Sequence, residues 1–176
     1  RYDPILLNSK YNVDYHIRAF HKLCTMLNGY VSKMIVSFVD DYKNVRNNHL
    51  DYHNPSNEEH IMIKDAFEKS AADNKLNLVS CMEKEYAIGN TQDCCVSIKY
   101  AFDRTGKLYK EWKARDCQCV SMVDVGAYNS CLHGCKYCYA NYDSKQIALN
   151  YKAHDVHSSL LIGHLSFDDQ IKIRKQ

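Results

Sequence analysis

Three short apolar runs, rich in Val, Ile and Phe, alternate with two helical patterns in the first half of the chain. The runs are residues 1–7, 34–40 and 76–82. Near-continuous apolar strands separated by helices typically pair in parallel, with helices covering the faces of the sheet. The sequence therefore predicts an α/β fold. Because three strands complete neither a barrel nor a doubly wound sheet, we expect residues 1–115 to form a partial (βα) TIM-like barrel without its N-terminal half.

Capping residues and apolar spacing bound the two helices. Asn12 can cap the first helix and Gly29 can end it, whereas Ser56 and Glu59 have the spacing of a capping box at the start of the second. Apolar residues at intervals of three and four predict one buried face on each helix. These faces contain His16, Ile17, Phe20, Leu23, Cys24 and Leu27 in the first helix, and Ile63, Ala66, Phe67, Ser70 and Ala71 in the second.

Acidic side chains lie near the ends of all three predicted strands. Asp3, Asp40 and Glu83 occupy these positions. Sites in parallel α/β folds are built at the carboxyl edge of the sheet, so these residues are candidates for binding a ligand. The alternative for each is a turn or helix-capping role. Residues 41–56, which follow Asp40, form a loop long enough to be a lid or a binding loop.

The overall composition restricts the class of protein. The chain has 23 basic and 21 acidic residues, so its charge gives no support to nucleic-acid binding. It has no apolar run of membrane-spanning length and no export signal, so we expect a cytoplasmic protein without a membrane partner. It begins at Arg1 with a strand already under way, so we also expect it to be part of a longer protein. Nine cysteines in a helix-patterned chain favour metal binding over disulfides.

Residues 116–176 are predicted to form a C-terminal cysteine-rich metal-binding segment. Within it, C-x3-C-x2-C spacing can direct three thiolates to three corners of a four-iron cluster and leave the fourth iron without a protein ligand. Gly134 allows the backbone to turn with positive φ beside these ligands. A zinc site is the alternative, since two further cysteines could complete a tetrahedron with two of the three. The candidate metal ligands are Cys131, Cys135 and Cys138, with Cys117 and Cys119 upstream.

This motif resembles that of the radical S-adenosylmethionine (SAM) superfamily. "HGCKYCYAN" is similar to the loop of the spore photoproduct lyase-like branch. Over nearly the whole chain, the sequence resembles an uncharacterised bacterial and archaeal family labelled domain of unknown function 1848. "RYDPI", "SFVD" and "CQCVSMVDVGAYNSCLHGCKYCYANY" carry that resemblance. Members of the family also have an N-terminal half with further barrel strands.

The resemblance implies that Cys131, Cys135 and Cys138 bind a 4Fe-4S cluster whose open iron binds SAM. One electron from an electron donor would then cleave SAM to a 5'-deoxyadenosyl radical, which would act on an unknown substrate. Tyr137 matches the aromatic position near the adenine. In most of the superfamily the cysteine loop follows the first strand, whereas here it follows all the strands and only 38 residues come after it. If Asp3, Asp40 or Glu83 holds the cofactor, the site is assembled in permuted order.

The remaining cysteines leave a second function open. If Cys117 or Cys119 occupies the fourth iron, the protein is a non-catalytic metal-binding module with a fully ligated cluster. The same holds if the cysteines bind zinc. Cys81, Cys94 and Cys95 could join Cys117 and Cys119 in a second metal site. The alternative for Cys81 is a small buried apolar residue.

Overall fold

A computed structural model describes residues 1–81, 83–91, 93–112 and 119–172. The chain divides into two compact units. The first, here called the sheet unit, comprises residues 1–40 and 51–123. The second, here called the cysteine unit, comprises residues 41–50 and 124–176. The long loop predicted after Asp40 is thus divided between the two units.

The sheet unit contains three parallel strands: β1 (Tyr2–Ile5), β2 (Lys33–Phe38) and β3 (Asn77–Ser80). Their order in the sheet is β1-β2-β3, so β2 is central among the described strands. β1 pairs with β2 through Tyr2 opposite Val36 and Ile5 opposite Phe38, and β3 pairs with β2 from Lys33 to Val36. This confirms the predicted α/β class and the parallel pairing. Closure into a barrel stays a prediction.

Two helices cover the sheet: α1 (Val13–Leu27) and α3 (Asn57–Asp73). Asn12 caps α1 by accepting a hydrogen bond from the Tyr15 N–H. Ser56 and Glu59 form a complete capping box at the start of α3. Both predicted caps are confirmed. The buried residues of the two helices are His16, Phe20, Cys24, Ile63, Phe67, Ser70 and Ala71, all from the predicted faces.

An aromatic cluster joins these helices to the sheet. The rings of Phe20 and Phe67 are stacked with centroids 3.8 Å apart and planes 7° from parallel. Tyr2 on β1 meets both rings edge-on at 5.6 and 5.7 Å. Because aromatic rings bury large areas and interact strongly at these distances, this cluster is a principal source of stability for the sheet unit.

His16 is a buried polar residue beside that cluster. It is 4% exposed, and its ring nitrogens lie 2.7 Å from the Tyr2 hydroxyl and 2.9 Å from the Leu6 carbonyl oxygen. A neutral imidazole satisfies both contacts, with one nitrogen accepting from Tyr2 and the other donating to Leu6. Burial lowers the pKa of His16, and the Leu6 hydrogen bond only partly offsets this effect.

The buried imidazole predicts a pH dependence of stability. As the pH falls below about 6.5, the unfolded chain takes up a proton at His16 before the folded chain does. The free energy of unfolding should therefore decrease below that pH, by up to about 1.4 kcal/mol per pH unit for this one group. Urea unfolding between pH 7.5 and 5 measures the slope. His16→Gln should have a flatter profile than the wild type, and identical profiles would contradict the prediction.

Three further helices complete the described structure. α2 (Lys43–Asn47) and α5 (Ser144–Lys152) belong to the cysteine unit, and α4 (Ile98–Thr105) belongs to the sheet unit. α2 was not predicted. Across the described parts of the chain, no helix has the length and apolar character that a membrane crossing requires.

Candidate metal centre

The three cysteines of the C-x3-C-x2-C motif lie on one irregular loop of the cysteine unit. Cys131 and Cys135 are exposed, Cys138 is half-buried, and none is in a disulfide. Gly134, just before the middle cysteine, has φ +62°, in the left-handed region that glycine occupies most readily. The turn predicted at Gly134 is therefore present, and two of the three cysteines, Cys131 and Cys135, are exposed.

Asparagine side chains hold the backbone of this loop. Asn44 on α2 donates to the carbonyl oxygens of Cys138 and Asn141, at 3.0 and 3.3 Å. Asn48, just after α2, donates to the carbonyl oxygen of Lys136 at 3.2 Å. Asn141 in turn donates to the carbonyl oxygen of Cys131 at 2.6 Å. These hydrogen bonds position the loop through its main chain.

Asn129, at the start of the loop, forms hydrogen bonds with the residues at its end. It is 5% exposed and has φ +54°. Its N–H donates to the Ala140 carbonyl oxygen at 3.0 Å, and its side-chain oxygen accepts from the Tyr142 and Asp143 N–H groups at 2.9 and 3.1 Å. Asn150 on α5 donates to the Asn129 carbonyl oxygen at 3.0 Å. Through its main chain and its side chain, this one buried residue therefore connects the start of the loop, its end and α5.

Removing this amide should loosen the loop. In Asn129→Ala, the N–H groups of Tyr142 and Asp143 lose their acceptor, and we expect a loss of about 1–3 kcal/mol in the free energy of unfolding. Asn129→Asp is the matched control, because it keeps the accepting oxygen and tolerates positive φ. Hydrogen exchange at Tyr142 and Asp143 should accelerate in the alanine variant only. Equal protection in both variants would refute this role.

A pocket lined by tyrosines adjoins α2 in the same unit. It encloses about 320 Å³ between Tyr42, Lys43, Asn44, Asn47, Tyr139 and Tyr142. The ring of Tyr42 lies 5.7 Å from that of Tyr137 and 6.5 Å from that of Tyr139, measured between centroids. Tyr137 is the residue that the sequence singled out for an aromatic role. Its ring lies beside that of Tyr42, which lines this pocket.

The predicted carboxylates belong to the sheet unit, where they form one electrostatic group. Glu83 accepts a hydrogen bond from the Phe38 N–H at 2.6 Å, and Asp3 accepts one from the Ser37 hydroxyl at 2.5 Å. Burial raises the pKa of Glu83, and the negative charges of Asp40 and Asp3 raise it further. Asp40 and Asp3 are therefore both close enough to act on Glu83.

The other cysteines considered as metal ligands lie outside the loop that carries the C-x3-C-x2-C motif. Cys119 belongs to the sheet unit, is 4% exposed, and forms a hydrogen-bond contact with Cys94. Cys117 lies outside the described residues. Cys81 contacts Cys95, with a distance of 3.1 Å between the sulfur atoms. Within the described ranges, no three Cys, His, Asp or Glu side chains are close enough together to hold one metal ion.

Sequence reasoning missed the residues that build this site around its thiols. Asn44 and Tyr42 lie in the long loop after Asp40, whose length was the available signal of function. Asn129 gave no local signal, because its partners are 11 to 21 residues further along the chain.

The comparisons with known proteins give a family and no individual relative. No curated protein and no solved structure matches the chain. The sequence profile of the family described as Domain of unknown function (DUF1848) matches residues 1–140, which is more than half of the chain and includes all three strands and the cysteine motif. The chain therefore belongs to the Domain of unknown function (DUF1848) family.

Proposed function

We propose that Cys131, Cys135 and Cys138 hold a four-iron cluster, and that the protein is a radical SAM type enzyme whose substrate is still to be identified. The observation that carries the proposal is the construction of the loop. Asparagine side chains bind its carbonyl groups, while none of its three cysteines is in a disulfide or fully buried. A loop built in this way carries three soft ligands within eight residues.

The chemistry of the three thiol ligands suits an iron-sulfur cluster. Thiolates are the usual ligands of iron-sulfur clusters, and such a cluster distributes them over separate iron atoms. It therefore needs thiols spaced along a loop, whereas a zinc ion needs four ligands that converge on one point. The three thiols on this short loop meet the first requirement. The absence of three converging ligands among the described residues is compatible with it.

The tyrosine-lined pocket supports SAM as the partner of the cluster. Its volume of about 320 Å³ is in the range of small-molecule sites. Aromatic faces stack with heterocycles such as adenine and attract cations such as a sulfonium. Tyr42 and Tyr139 supply such faces, and Lys43 supplies a positive charge for a carboxylate. That Asp3, Asp40 or Glu83 also contacts the cofactor stays a prediction.

In this proposal the protein residues bind and orient the reactants. When bound, a cluster of this kind supplies one electron for reductive cleavage of SAM. Cys131, Cys135 and Cys138 would be its thiolate ligands. Asn44 would fix the main chain at Cys138, and Tyr42 would orient the adenine together with Tyr137. An external electron donor is required, because the reaction consumes one electron.

The metal content of the protein tests the proposal. The full chain is purified without oxygen and assayed for iron, acid-labile sulfide and zinc. Iron and sulfide in equal amounts, with little zinc, are the expected result. Zinc without sulfide would overturn the proposal and favour the non-catalytic metal-binding module.

A further inference from the structure

Two cysteines outside the proposed metal centre form a close pair in the sheet unit. Cys81 directly follows β3, and Cys95 lies in the loop before α4. Their sulfur atoms are 3.1 Å apart, and both residues are half-buried. The N–H of Cys81 donates to the Val36 carbonyl oxygen of β2 at 2.9 Å, so the sheet fixes its position. The pair is held in place and remains partly accessible.

A guanidinium group lies against both thiols. Nη1 of Arg1 is 3.1 Å from Sγ of Cys95, and the Arg1 side chain also forms a hydrogen bond with Cys81. Arg1 is itself paired with Asp3. A positive charge beside a thiol favours the thiolate, which is the nucleophilic form of cysteine. This environment distinguishes the pair from Cys24, which is fully buried in α1.

The two thiols are not equivalent. The hydrogen bond from Cys95, together with the charge of Arg1, lowers the pKa of Cys81 to about 6. Donating that hydrogen bond raises the pKa of Cys95, and burial raises it further. The negative charges of Asp3 and Glu83 also face this group. One thiolate that accepts a hydrogen bond from one thiol is the arrangement of an attacking and a resolving cysteine.

We propose that Cys81 and Cys95 are a redox-active dithiol that exchanges with low-molecular-weight disulfides, with Cys81 as the attacking residue and Cys95 as the resolving residue. The carboxyl edge of a parallel sheet, where the pair lies, is also the usual place for sites in α/β folds. Nothing in this proposal depends on the metal centre or on its function.

The exchange requires no reactant other than the protein dithiol and the substrate disulfide. The Cys81 thiolate attacks one sulfur of the substrate disulfide, the substrate S–S bond breaks, and one thiolate leaves with the bonding pair. The resulting mixed disulfide joins Cys81 to the other half of the substrate. Cys95 then loses its proton and attacks Sγ of Cys81, which forms the Cys81–Cys95 disulfide and releases the second thiolate. Starting from one thiolate and one thiol, the protein loses two electrons and the Cys95 proton. The substrate disulfide gains both electrons and that proton, and leaves as one thiolate and one thiol.

A second cysteine pair provides an internal comparison. Cys94 and Cys119 are also in contact, but both are buried, at 7% and 4% exposed. Because exchange requires access of the substrate to the attacking sulfur, this pair should react more slowly than Cys81 and Cys95. The comparison tests whether proximity alone decides reactivity.

Oxidised glutathione is the probe for this proposal. The reduced full chain is incubated with it without oxygen, free thiols are alkylated, and the disulfides are located by peptide mass spectrometry. We expect a Cys81–Cys95 disulfide to form at least about tenfold faster than a Cys94–Cys119 disulfide. Cys95→Ser should accumulate glutathione on Cys81, whereas Cys81→Ser should accumulate at least about tenfold less on Cys95.

Two further variants sharpen the test. Cys24→Ser should leave the Cys81–Cys95 disulfide unchanged, because Cys24 belongs to a different part of the sheet unit. Arg1→Gln should slow the attack of Cys81 near neutral pH, because fewer molecules carry the thiolate. The proposal is overturned if the wild type forms no Cys81–Cys95 disulfide, or if Cys95→Ser accumulates no more glutathione on Cys81 than Cys81→Ser does on Cys95. Circular dichroism establishes that each serine variant is folded.

Discussion

Serine in place of Cys131, Cys135 or Cys138 should reduce the bound iron by more than about tenfold in each single variant. A serine hydroxyl is a poor substitute for a thiolate as a ligand of iron in a cluster. The proposed centre has only three protein ligands, so no spare thiol on the loop compensates for the loss of one. Iron and acid-labile sulfide, measured per chain after anaerobic purification, report the effect.

Two control variants separate ligand loss from other causes. His133→Ser changes an exposed residue of the same loop without removing a thiol, so its iron content should equal that of the wild type. Cys119→Ser tests the alternative in which a fourth thiolate closes the cluster. It should also keep its iron, because Cys119 is buried and already contacts Cys94. Loss of iron in Cys119→Ser, with a folded protein, would contradict the open coordination site.

Replacing Phe67 with alanine should have the largest effect on the stability of the sheet unit. Phe67 is fully buried, stacks on Phe20 at 3.8 Å and receives the edge of Tyr2. Its removal leaves a cavity between α3, α1 and β1 and ends both ring contacts. We expect a loss of about 3–5 kcal/mol in the free energy of unfolding, a large part of the total for a typical domain.

The matched control is an exposed residue of the same helix. Ile61 is 55% exposed, and Ile61→Ala should change the free energy of unfolding by no more than about 0.5 kcal/mol. Urea unfolding followed by circular dichroism measures both variants. Comparable losses in the two would show that the aromatic cluster does not provide the stability assigned to it.

The sequence predicted the parts of the fold that depend on local patterns. The capping residues Asn12 and Ser56 and the buried stripe through Ile63 and Phe67 are signals within a few residues, and the structure confirms them. The apolar strands also lie where the pattern placed them, although β1 and β3 are shorter than the predicted runs. Local hydrogen bonding and hydrophobic periodicity suffice to specify such elements.

The candidate site was less predictable, because its contacts connect distant parts of the chain. Asn44 and Cys138 are 94 positions apart, and no periodic pattern relates them. The pairing of Cys81 with Cys95, and of Cys94 with Cys119, likewise depends on how β3 and the following loops fold back. The sequence indicated that these four cysteines could belong to one metal site. In the structure they form two separate contacts, and among the described residues no larger group of ligands.

Electron paramagnetic resonance of the reduced full-length chain, with and without SAM, tests the central claim most directly. If three thiolates hold a four-iron cluster with one open iron, the spectrum should show a reduced four-iron signal that changes when SAM is added. The change should disappear in Cys138→Ser and persist in His133→Ser. A cluster signal that is identical with and without SAM would contradict an open iron, and the absence of any cluster signal would contradict the centre itself.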